Sequence, residues 1–70
     1  MLAGDTMCEF TVLLDDGNGK KQIAKNVVKA KVKEGEVVLL SSEGTVIKAP
    51  RAVITLVDTT MAEMVLTAKP

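Results

Sequence analysis

Apolar residues recur at every second position along much of this chain, and that period fits an extended backbone, not a helix. Cys8, Phe10, Val12 and Leu14 fall on one face of a first segment; Glu9, Thr11, Leu13 and Asp15 fall on the other. Farther on, Val28, Ala30 and Val32 alternate with Val27, Lys29, Lys31 and Lys33. Val37-Val38-Leu39-Leu40 and Ala52-Val53-Ile54-Thr55-Leu56-Val57 are apolar on both faces, as strands covered on two sides are. Asp15-Asp16-Gly17-Asn18-Gly19, Glu34-Gly35-Glu36 and Ser41-Ser42-Glu43-Gly44 interrupt the alternation with turn chemistry, and Ile23 anchors the strand that follows the first turn. Pro50 cannot donate a ladder hydrogen bond and marks an edge, bulge or break. Only Asp58 to Glu63 has room for a helical turn, with Asp58 or Thr59 as its cap, before a last strand over Met64-Val65-Leu66-Thr67. The pattern predicts an all-β domain, a small barrel or coiled antiparallel sheet of five to six strands.

Composition narrows the function. The chain has 70 residues and one cysteine, so no internal disulfide reinforces so small a core. A metal or a partner subunit is the expected supplement. Val38 with Leu40, and Val53 with Val57, cannot all face one small interior, which predicts a second buried surface in a homodimer, joined edge strand to edge strand. Nine basic and nine acidic residues cancel, leaving no global field to gather nucleic acid or anionic lipid. No apolar run approaches the ~18 residues of a membrane span. Met1 to Thr6 lacks the basic and apolar parts of a signal peptide, and a free thiol fits a reducing cytoplasm. Histidine is absent, which removes His-based catalysis and His-rich metal sites.

The stretch Met7-Cys8-Glu9-Phe10-Thr11-Val12 resembles the M-C-x-A-x-V opening of the CooT family, small nickel-binding accessory proteins named for carbon monoxide dehydrogenase maturation. Ile54-Thr55-Leu56-Val57-Asp58 and Met64-Val65-Leu66 resemble that family's late "VD" segment and closing strand. The resemblance runs from Met7 to about Thr67. It implies one all-β domain over 7–67 with a tail at 68–70, a nickel ion held at Cys8 with Met7, and a client metalloenzyme. Phe10 stands where the family commonly has alanine. The family's cysteine is the second residue, whereas here it is the eighth, so residues 1–6 read as an N-terminal extension.

That position matters chemically. Nickel(II) favours a square-planar set of nitrogen and sulfur donors. A cysteine at position two offers an amine, a deprotonatable amide nitrogen and a thiolate in fused chelate rings. With Met1 to Thr6 attached, the Met7 nitrogen is an amide and gives up its proton far less readily. Cys8 still brings sulfur and its own amide nitrogen, and two chains complete a square by giving one such pair each across a dimer axis. The competing reading of Cys8 is a small packed hydrophobe. A nucleophilic role lacks a histidine to activate the thiol.

The alternative function uses lysines. Lys29, Lys31 and Lys33 alternate along one strand face, a stripe about 14 Å long, within a cluster that includes Lys20, Lys21 and Lys25. CooT-like sequences also carry the label of predicted RNA-binding proteins, so this face is the candidate RNA contact. Against it, the chain has no Trp, no Tyr and one Phe, whereas single-strand binders stack bases on aromatics. A solvated strand face, or one that guards against edge-to-edge aggregation, is the commoner explanation of such a stripe, and a plain structural or interaction domain with a packed cysteine is the third reading. The carboxylates belong to turns, Met61 and Met64 make too thin a thioether site, and so short a chain leaves little room for a substrate pocket. The reading is a non-enzymatic protein.

Overall fold

A computed structural model describes residues 9–69. Six strands form one sheet: β1 (Phe10–Asp15), β2 (Lys20–Lys33), β3 (Glu36–Ser41), β4 (Val46–Ala49), β5 (Ala52–Asp58) and β6 (Glu63–Ala68). Their spatial order is β4-β3-β2-β1-β6-β5. All pairings are antiparallel except one: β6 returns beside β1 in the same direction.

The two edge strands, β4 and β5, are consecutive in sequence and joined by Pro50-Arg51 alone. So short a link holds opposite edges of a six-stranded sheet near each other, so the sheet curls into a half-barrel. Pro50 presets the first corner position, and Arg51 takes the left-handed second one at φ 56°. The Ala52 amide donates to the Gly35 carbonyl at 3.1 Å, and β3 packs against β5 across the interior.

β2 makes the curl possible. The sequence alternation treats Lys20 to Val27 and Val28 to Lys33 as separate runs, but the chain forms one 14-residue strand with bulges inside it. Its register slips twice against β1 and once against β3, each time with the extra residue on β2. Asn26, at φ 56°, lies at the centre of these irregularities. Each bulge bends the strand and shifts the phase of its side chains. Val27, expected to share the lysine face, is therefore buried at 2% exposure.

The concave face holds the core. Val12, Val27, Val37, Leu39 and Leu66 are fully buried there, and Phe10, Leu14, Ile23, Ala30, Ile47 and Ile54 pack around them. Val65 is also buried but stands outside this cluster, in register with Leu13 and Leu56. Thr55 is the unpaired residue of a bulge in β5, and its hydroxyl donates to the Val65 carbonyl at 3.3 Å.

The turns behave as their composition predicts. Asp15 Oδ1 accepts the Gly17 amide and Asp16 Oδ1 the Asn18 amide, closing the first hairpin. Glu34 and Gly35 both have positive φ, as a two-residue hairpin requires. Buried Ser41 Oγ accepts the amides of Glu43 and Thr45. Between β5 and β6 there is a turn and no helix.

Candidate functional site

The beginning of β1 is fastened to the corner between β5 and β6. The Thr11 amide donates to the Ala62 carbonyl at 2.9 Å, and Thr11 lies in register with Glu63. Glu63 in turn faces Asp58 across β5 and β6. Asp58 shapes that corner: its Oδ1 accepts the amides of Thr60 at 2.9 Å and Met61 at 3.0 Å, the capping role its sequence position predicts. Ala62 completes the reversal in a left-handed conformation, φ 55°. Phe10 packs on the core beside this entry, where the alternation puts it.

This end of the molecule is apolar as well as acidic. Leu56 and Val57, near the end of edge strand β5, are 49% and 51% exposed, and Met61 on the turn is 65% exposed. Glu9 is exposed, and Asp58 and Glu63 are half-buried. Met7 and Cys8, the residues singled out for nickel, lie outside the described residues. Among the described residues, no three histidine, cysteine, aspartate or glutamate side chains gather into a metal-holding group. The carboxylates at this corner thus do not form a metal site among themselves.

The lysines of β2 divide. Lys29, Lys31 and Lys33 are all exposed on the convex face. Lys33 is paired in register with Glu36, while Lys29 and Lys31 oppose Leu40 and Val38. The fold adds a cation that sequence reading missed. Lys48 on β4 opposes Val38 from the other side, so Lys31, Val38 and Lys48 form one cross-strand row. Its sequence neighbours carry no basic pattern; only the β3–β4 register reveals the match.

A cleft of about 460 Å³ lies at the opposite end, lined by Glu34, Gly35, Glu36, Pro50, Arg51 and Lys69. That exceeds the room the chain length suggests. It exists because two turns and Lys69, just after β6, leave a charged, solvent-open notch between them, and none of the convex-face lysines lines it.

The family model for the CO dehydrogenase accessory protein CooT matches residues 7–67. The chain belongs to the CooT family. Its function class is therefore an accessory to CO dehydrogenase and not a catalyst in its own right. The CooT fold recurs in a crystal structure described as "putative CooT from Carboxydothermus hydrogenoformans", with a TM-score of 0.79 and 17% sequence identity. That similarity covers 90% of this chain and 100% of the other. At such identity it speaks for the shared fold alone. No curated protein matches the sequence. No helix among the described residues is long and apolar enough to cross a membrane.

Proposed function

We propose that this protein carries nickel for a CO dehydrogenase, gripping the ion with the Cys8 thiolate and backbone nitrogens of Cys8 and Met7. The carrying observation is the family match, whose first two residues are Met7 and Cys8. In this reading residues 1–6 are an extension upstream of the functional start, and nickel is cargo, held by few donors so that it can be released. Thiolate and amide nitrogen suit nickel(II) better than the carboxylates of the neighbouring corner do. The protein works in the reducing cytoplasm, where Cys8 stays a thiol.

A homodimer completes the donor set. Cys8 stands three residues before Thr11, a reach of at most about 11 Å. The exposed Leu56, Val57 and Met61 belong to the corner to which Thr11 is tied, which supports them as the surface a second protomer covers. A second protomer seated over them brings two Cys8 residues to one ion, so metal uptake and pairing become a single event.

Nickel titration followed by absorbance tests this. Wild type is expected to develop thiolate-to-nickel bands that Cys8→Ser lacks, with mass doubling at half an equivalent of metal per chain. A chain shortened to begin at Met7 is expected to bind more tightly, because it supplies an amine. A featureless spectrum from both chain lengths sinks the reading.

A further inference from the structure

The convex face of β2, β3 and β4 brings together residues that are scattered in sequence. β3 runs down the middle and contributes Val38 and Leu40, both half-buried. Lys29 and Lys31 stand on β2 to one side; Lys48 and Val46 stand on β4 to the other. All four flanking residues are exposed, Val46 at 56%. Two rows result, Lys29–Leu40–Val46 and Lys31–Val38–Lys48, in which lysines border an apolar floor. Glu36 next to Lys33 ends the patch.

We infer that this face docks an acidic, partly apolar surface of the client protein, a role that rests on the accessory function proposed above. Three observations select that occupant. First, the chain is neutral overall, yet all six charges of β2 are positive while Glu9, Asp58 and Glu63 collect at the β1 entry, so the convex patch has a local field that the net charge hides. Second, a two-fold pairing of this face with itself sets lysine against lysine, which disfavours a second copy. Third, Val38, Leu40 and Val46 have no counterpart on a phosphate backbone, and Phe10 is engaged with the core, so no aromatic stacks a base here. The patch spans on the order of 400 Å², half of a standard interface per partner. Such an area suits a brief, electrostatically steered encounter, which a protein that must leave after delivery requires.

The test measures binding of the full chain to purified cognate CO dehydrogenase by biolayer interferometry at about 50 mM and about 0.3 M salt, on either side of the physiological Debye length. Lys29→Glu/Lys31→Glu/Lys48→Glu is compared with Lys20→Glu/Lys21→Glu/Lys25→Glu, which changes the charge equally on the other half of β2. The first triple is expected to lose about tenfold or more at low salt and most of its salt dependence; the second is expected to stay within about twofold of wild type. Lys29→Gln/Lys31→Gln/Lys48→Gln, checked for native circular dichroism, guards against a folding defect and is expected to lose in the same direction. Equal loss in both glutamate triples, or none in either, overturns the docking face. So does tighter binding of an RNA oligonucleotide that the same three lysines control. Nickel titration of the same samples separates the two readings. Chains that take up nickel but ignore CO dehydrogenase overturn the docking face alone, whereas chains that bind the enzyme without taking up nickel overturn the cargo reading alone.

Discussion

The Thr11 amide and the Ala62 carbonyl meet at 2.9 Å, tying the first strand to the corner that precedes the last. This bond fixes where the chain enters the sheet. It also fastens the start of β1 to the β5–β6 corner, so under the proposed nickel role the stability of that corner bears on metal binding.

Asp58→Ala removes the acceptor for two amides of that corner. Losing them is expected to cost about 1–2 kcal/mol in urea unfolding, with Asp58→Asn recovering most of it. Nickel affinity is expected to fall in Asp58→Ala and not in Asp58→Asn; equal affinities in both would detach the corner from metal binding.

Leu66 has no exposed surface and packs in the concave core. Leu66→Ala is expected to cost about 2–5 kcal/mol, enough to unfold much of a domain whose total stability is of order 5 kcal/mol. Leu56→Ala, at an exposed site on the edge strand, is expected to change monomer stability by less than about 1 kcal/mol and to weaken dimerisation instead. Thermal melts and sedimentation of the two variants distinguish these effects.

Glu34 occupies a left-handed position, φ 50°, before Gly35 in the β2–β3 hairpin. Asparagine is at ease there and glutamate is not. Glu34→Asn is expected to raise stability by about 0.5–1 kcal/mol in denaturant titration; a loss would mean that Glu34 contributes something besides the turn.

Nickel uptake is expected to strengthen as pH rises, because thiol and amide protons leave as the metal binds. Isothermal titration between about pH 6 and pH 9, spanning the ordinary thiol range near 8.5, is expected to show proton release and a steady gain in affinity. The chain beginning at Met7 gains less above about pH 8, where its amine is already deprotonated. A pH-independent affinity would exclude thiolate ligation.

Much of this was legible in the sequence because strands and turns are local. The alternation at Phe10 to Leu14, the Asp-Gly reversal and the Glu34-Gly35 hairpin each specify themselves within a few residues. The bulges of β2 do not. Nothing around Asn26 announces that the phase will slip, so Val27 reads as a companion of the lysines although it belongs to the core. The parallel return of β6 beside β1 and the alignment of Lys48 with Lys31 depend on register between distant segments, which periodicity cannot supply. The family was legible for a different reason: Met7-Cys8, at the start of the stretch the family model matches, is a short signature independent of the fold.

Because β1 and β6 run side by side in one direction, Thr11 neighbours Glu63 while Asp15 neighbours Thr67. The polypeptide therefore arrives at one pole and departs from the other, roughly 15–20 Å away along β6. A tether or surface linkage attached after Lys69 leaves the pole where β1 begins turned toward solution. The same layout leaves the β5–β6 corner as the leading tip while the remainder of the molecule trails behind.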